Sequence, residues 1–128
     1  IEALLRRKYE PGIRRFGSLC VDLVGRRVEL DGSYLYLRRL EYDLLTTFVR
    51  YPNRVFDRDA LLSLVWGADA FVGERTVDAR VKDLRVRLRD QASAPRFIET
   101  AQGIGYRWIA TPDDEGLRGR GASADAAD

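Results

Sequence analysis

Residues 75–90 read Arg-Thr-Val-Asp-Ala-Arg-Val-Lys-Asp-Leu-Arg-Val-Arg-Leu-Arg-Asp, and in them an apolar stripe and a row of cations share one period. Val77, Val81, Leu84 and Leu88 follow one another at spacings of four, three and four, the repeat that gathers side chains on one face of an α-helix. Counted from Val77 at about 100° per residue, Arg75, Ala79, Lys82 and Val86 project from the opposite side, with Arg80, Arg85, Arg87 and Arg89 on the flanks. One side is fitted to pack and the other to present positive charge. At a rise of about 1.5 Å per residue the stretch makes a rod of roughly 24 Å. Taken alone, it fits a solvated surface helix as well as a binding helix, so its neighbours must decide.

Upstream, Asp57 is placed as an N-cap and Asp59 in a positive first turn, ahead of Leu61, Leu62, Val65 and Trp66 as the apolar face of a helix that Gly67 closes. Trp66 is expected to pack in the core. Before it, Leu40, Leu44, Leu45, Phe48 and Val49 form another helical stripe, ended by Tyr51-Pro52-Asn53. From Phe16 to Leu37 the period is two, punctuated by Gly25 and by Asp31-Gly32, a hairpin signal. This predicts a small antiparallel sheet of three or four strands. Downstream of residues 75–90, alternation returns in Phe97 to Thr100 and Tyr106 to Ile109, around Ala101-Gln102-Gly103-Ile104-Gly105, a hairpin with a glycine-rich tip. Residues 1–12 read as the end of a preceding domain and a linker broken at Pro11-Gly12, residues 13–111 as one folded domain, and 112–128 as a disordered tail with little to bury.

The composition narrows the function classes. Hydrophobic residues make up 45% and charged residues 33% of the 128, with a formal net charge of +2. No apolar run approaches a membrane span. Net charge alone does not indicate a polyanionic partner, but residues 75–89 hold six Lys or Arg against two Asp, a local +4. The chain has no histidine, which removes the commonest general base and metal ligand together. Carboxylate pairs such as Asp57 and Asp59 are accounted for by helix capping, so no enzyme, metal or cofactor is expected. Cys20, the single cysteine, excludes an intrachain disulfide and fits a reducing cytoplasm; on a strand it reads as a small apolar filler. The chain begins at Ile1 without a signal-peptide pattern and reads as a fragment of something longer.

Sheet, helix, helix, long basic helix and hairpin is the order of an α+β winged helix-turn-helix with an N-terminal antiparallel sheet, three helices and a C-terminal hairpin wing. In that arrangement the third helix enters a DNA major groove, and the hairpin reaches an adjacent minor groove or the phosphates. Arg54, Arg58, Arg85, Arg89 and Arg107 are placed to supply phosphate contacts, and Arg75, Arg80 and Lys82 to address guanine edges or phosphates. Tyr106 either packs beneath the wing or donates its hydroxyl to a phosphate.

The ordered motifs are more specific than any one of them. Leu40-Glu41-Tyr42-Asp43-Leu44-Leu45, Arg54-Val55-Phe56-Asp57-Arg58-Asp59-Ala60-Leu61-Leu62, Val65-Trp66-Gly67, Arg75-Thr76-Val77-Asp78, Leu84-Arg85, and Thr100 with Gly103-Ile104-Gly105-Tyr106-Arg107 run through residues 14–110. In this sequence and spacing the chain resembles the C-terminal effector domain of OmpR/PhoB-family bacterial response regulators. The resemblance implies sequence-specific binding of double-stranded DNA at repeated half-sites, with dimerisation on DNA. It also implies a preceding receiver domain phosphorylated by a sensor kinase, and contact with RNA polymerase through the loop 67–73. The implied DNA-contacting set is Arg75, Thr76, Ala79, Arg80, Lys82, Asp83, Arg85, Val86 and Arg89 on the helix, Arg58 before it, and Thr100, Gln102, Tyr106 and Arg107 on the wing. A winged helix that binds another protein without reading DNA is the alternative.

Three departures from the family pattern bear on specificity. Arg80 stands where many members have His, and Asp83 where they have Arg or Lys. A carboxylate there either accepts from a cytosine amino group or pairs along the helix with Arg80 or Arg87, a pairing worth about 0.2–0.5 kcal/mol. Gln102 stands where Arg is common, which weakens electrostatic insertion of the wing into a narrow minor groove. Arg38-Arg39 replaces the expected Thr or Pro at the start of the first helix and leaves its terminus unsettled.

Overall fold

The computed structural model describes residues 12–67 and 71–113. They fall into two compact units, one made from the part of the chain up to Tyr36 together with Thr111 onward, the other from Leu37–Ala110.

The first unit is a four-stranded antiparallel meander, β1 (Ile13–Phe16), β2 (Leu19–Asp22), β3 (Arg27–Leu30) and β4 (Ser33–Tyr34), paired in that order. It opens three residues earlier than the alternating pattern suggests. Asp31 and Gly32 both have positive φ, at 55° and 81°, the backbone that a two-residue hairpin turn needs to match strand twist. β2 departs from alternation, since Leu19, Cys20, Val21 and Asp22 are all buried. Asp22 is fully buried because its carboxylate accepts the Val24 and Gly25 N–H groups at 3.1 and 2.8 Å and so shapes the β2–β3 turn. Cys20 lies buried in the cluster with Ile13, and burial pushes its thiol pKa up, which fits a filler and not a nucleophile. The Gly17 N–H donates to the Asp113 carboxylate, which ties the far end of the described chain to the β1–β2 turn.

The second unit holds α1 (Arg39–Arg50), β5 (Val55–Asp57), α2 (Arg58–Leu61), α3 (Glu74–Leu88), β6 (Ile98–Ala101) and β7 (Gly105–Trp108). α1 starts at Arg38 without a Ser, Thr, Asp or Asn cap. A guanidinium has no acceptor to offer, but the Glu41 carboxylate reaches back to the Arg38 N–H at 2.9 Å and supplies the returning half of a capping box. Asp57 caps α2 as expected, accepting from the Ala60 N–H at 2.7 Å. After one turn α2 loosens into a wider winding over Leu62–Trp66, closed by a Gly67 N–H to Leu62 O bond of 3.0 Å. The wider turn rotates the apolar face. Leu61 is buried, whereas Leu62, Val65 and Trp66 are only partly so, and Trp66 is not the core residue its spacing suggests.

Val77, Val81, Leu84 and Leu88 of α3 are all fully buried, each contributing about 1.5–3 kcal/mol relative to exposure. Leu44, Leu45, Phe48, Phe56, Ile98 and Trp108 are buried in the same unit. Phe48 meets Phe56 edge to face at 6.1 Å, and Phe97 stacks on Trp108 at 5.4 Å.

The hairpin forms as read, but it is not alone. β5 pairs with β7, so the wing is the outer part of a three-stranded sheet ordered β5-β7-β6. Gly105 opposes Asp57 in that pairing, and a Cβ there would run into the Phe56 carbonyl. Only glycine allows this approach. Asp90 anchors the other side of the wing. Its buried carboxylate accepts from the N–H groups of Arg96, Phe97 and Ile98 at 2.6, 3.2 and 2.8 Å.

Candidate nucleic-acid interface

α3 presents the face expected of it. Arg75, Ala79, Lys82 and Val86 are exposed, Val86 at 70%, opposite the fully buried stripe. Arg75 and Lys82 have no partner among the described residues. Glu74 stands in the first turn and Arg85 and Arg87 in the last, the polarity that suits the helix dipole. Thr76 is partly buried in the first turn, and its N–H donates to Gly73 O at 3.0 Å. The helix ends at Arg89, exposed and left-handed at φ 57°.

Several cations read as phosphate contacts instead have partners within the protein. The Arg85 Nη2 donates to the Ile98 carbonyl at 2.9 Å and to the Thr100 hydroxyl at 2.8 Å, joining α3 to β6. Its Nε is buried without a hydrogen-bond partner among the described residues, so the guanidinium is drawn into the fold. Thr100 serves as that acceptor. Arg107 pairs with Glu99, its cross-strand neighbour, with Nε at 2.9 Å from the carboxylate. Arg87 lies 3.5 Å from the buried carboxylate of Glu41 on α1. Arg54 lies over the rings of Tyr51 and Phe56.

Asp78 gathers a second network. The Arg58 Nε donates to its carboxylate at 2.7 Å and the Tyr106 hydroxyl donates to the same oxygen at 2.5 Å. The guanidinium carbons of Arg58 and Arg85 each lie 5.5 Å from the centre of the Tyr106 ring. Burial works to raise the Asp78 pKa, but the hydrogen bonds from Tyr106 and Arg58, with the charge of Arg58, outweigh it and hold the carboxyl below its ordinary value. The Tyr106 hydroxyl is pushed up by burial and by its bond to Asp78. Of the two places open to Tyr106, the structure gives the one beneath the wing, buried at 5% exposure.

Asp83 pairs along the helix. The Arg80 Nη1 donates to its carboxylate at 3.1 Å, with both side chains partly exposed. At the hairpin tip Gln102, Gly103 and Ile104 are exposed, Ile104 at 56%. Before α3, Phe71 is exposed at 99% and Val72 at 41%; residues 68–70 of the loop lie outside the described residues.

Sequence reasoning had no role for Asp78, Asp90 or Glu41, although each carboxylate organises backbone or cations around the site. For Asp90 a signal was present. An acid just past a helix C-terminus opposes the dipole, so its presence there points to partners elsewhere. Among the described residues no group of three or more His, Cys, Asp or Glu is arranged to hold a metal ion, and no helix is long and apolar enough to cross a membrane.

A family model described as "Transcriptional regulatory protein, C terminal" matches residues 32–108. The chain is 37% identical over 126 residues to the transcriptional regulatory protein SrrA of Staphylococcus aureus, covering 90% of this chain and 52% of that protein. It spans about half the length of the curated relatives it matches. Among solved structures it is similar to the Klebsiella pneumoniae RstA DNA-binding domain in complex with the RstA box, with TM-score 0.69 and 34% identity over 76% of this chain and 96% of that one. It is also similar to the response regulator DrrB of Thermotoga maritima, an OmpR/PhoB homologue, with TM-score 0.72 and 31% identity over 84% of this chain and 50% of that one.

Proposed function

We propose, because this chain belongs to the family of C-terminal domains of transcriptional regulatory proteins and has the OmpR/PhoB winged helix-turn-helix fold, that it binds double-stranded DNA sequence-specifically as a response-regulator effector domain. α3 enters the major groove, and the tip of the β6–β7 wing meets the minor groove or the phosphates. The observation that carries this reading is the exposed row Arg75, Ala79, Lys82 and Val86, with two cations that have no partner among the described residues, on a helix whose other face is wholly buried. Such a helix is held rigidly by its packed side while its polar side is open to a ligand.

Within this reading, Arg75, Ala79, Lys82, Asp83 and Val86 face the groove with Arg80 at its flank, Arg89 and Thr76 lie at the helix ends near phosphates, and Gln102 stands at the wing tip. Arg58, Arg85, Thr100, Tyr106 and Arg107 act mainly by fixing α3 and the wing. Residues 13–111 work as one module, two copies of which occupy repeated half-sites. The exposed apolar side chains of Phe71 and Val72 suit the loop 67–73 to contact with RNA polymerase. A receiver domain preceding this chain, addressed by a sensor kinase, supplies regulation, and the protein works in the cytoplasm without enzymatic activity.

Selection of bound sequences from random duplexes, followed by fluorescence anisotropy at near-physiological salt, tests the proposal. Each mismatched base pair costs about 1–3 kcal/mol, so the selected duplex should bind at least about a hundredfold more tightly than its scrambled counterpart. Equal affinity for the two would leave the protein-binding alternative in its place.

A further inference from the structure

Arg80 and Asp83 form an i,i+3 ion pair on α3 whose place on the helix bears on recognition. Taking the buried stripe as the back of α3, and about 100° per residue, Asp83 stands about 50° from the centre of the exposed face and Arg80 about 110° from it. Arg80 is thus a flank residue and Asp83 lies between it and the groove-facing side. The 3.1 Å bond from Arg80 Nη1 to Asp83 Oδ2 therefore draws the guanidinium from the flank toward that side. Among the described residues neither group has a competing partner. The neighbouring cation Arg87 is 3.5 Å from Glu41, and Arg85 is bonded to Ile98 and Thr100.

We infer that Asp83 is a positioning residue that holds Arg80 for guanine recognition. This rests on the reading of the domain as a DNA-binding module. A guanidinium carries five N–H donors in a rigid fork. Asp83 engages one, and the rest of the fork is left to address guanine O6 and N7, the commonest base-specific contact in the major groove. A free arginine side chain must lose its rotamer freedom when it binds; one paired to a carboxylate has lost part of it beforehand. The pair is also close to neutral as a unit, so it adds selectivity for a base without adding general attraction to phosphate. The carboxylate that looks unfavourable on a DNA-facing helix thereby raises discrimination between sequences.

The test uses the 128-residue chain, the duplex selected from random sequence, its scrambled counterpart, and versions of the selected duplex carrying 7-deazaguanine at single guanines. That base keeps its Watson–Crick pairing and loses only the N7 acceptor. The wild-type protein should lose about fivefold or more in affinity at one guanine position. Asp83→Asn should lower the preference for selected over scrambled duplex by about fivefold or more and abolish most of the 7-deazaguanine penalty, with unchanged thermal unfolding. Arg80→Ala should make Asp83→Asn nearly silent, since the two act as one unit. Equal tightening of both duplexes by Asp83→Asn, or an undiminished 7-deazaguanine penalty in that variant, overturns the inference while leaving DNA binding intact. A wild-type protein that does not prefer the selected duplex ends both readings.

Discussion

Carboxylates with partners far along the chain hold the two halves of the candidate site in register. Asp78 on α3 receives Arg58 from α2 and Tyr106 from β7, and neither partner is within helical reach, so no local pattern marks it. Tyr106→Phe removes one bond to a charged acceptor and should cost about 1.5–3 kcal/mol in urea unfolding. The sign of the pH dependence follows from the two shifts. Asp78 is held below the ordinary aspartate value of about 3.9, so its contribution is present above that value and is lost as pH falls through the lowered one. Tyr106 is raised above the ordinary tyrosine value, so its contribution holds below that value and is lost as pH rises through the raised one. Between pH 7 and 3 the wild-type protein should therefore lose more stability than Asp78→Asn does; equal losses would mean the network contributes nothing. Asp90→Ala removes the acceptor of three N–H groups. At about 1–3 kcal/mol for each donor left unsatisfied in the interior, unfolding stability should fall by at least about 3 kcal/mol.

The elements were legible in proportion to how local their causes are. The α3 stripe, the Asp57 cap and the Asp31-Gly32 turn rest on residues within a few positions of one another, and all were legible. β5 has only Val55, Phe56 and Asp57, too short to display a period, and its partner β7 lies beyond both remaining helices. Its strand character is conferred by pairing, and so is the need for Gly105. The loosened end of α2 is equally hidden, because a regular 3.6 period puts Val65 and Trp66 on the buried face, whereas the wider winding over Leu62–Trp66 does not. Arg85 shows the same limit within the site: charge and position suggested phosphate, while its bonds go to Ile98 and Thr100 on β6. Arg85→Met keeps the stem and drops those donors. It should weaken binding of the selected duplex with an unchanged slope of log affinity against log salt, whereas Lys82→Ala should lower that slope by about 1. A slope change of about 1 for Arg85→Met would restore it as a phosphate contact.

At the scale of the whole chain, a formal charge of +2 is unremarkable for a DNA-binding protein, and the local +4 of residues 75–89 carries the electrostatic case. The fold narrows that charge further, for Arg80 faces Asp83, Arg87 faces Glu41 and Arg85 faces the wing. What remains outward on α3 is a narrow strip with Arg75 and Lys82 alternating with Ala79 and Val86. The proposed function makes this strip the place where the protein meets DNA. Backbone amide chemical shifts recorded as the selected duplex is added to the 128-residue chain test it most directly. The largest changes should fall in residues 75–86, with a smaller set at 102–104 of the wing tip. Changes concentrated at the N-terminal sheet or around Leu64 and Phe71, with residues 75–86 unmoved, would contradict it.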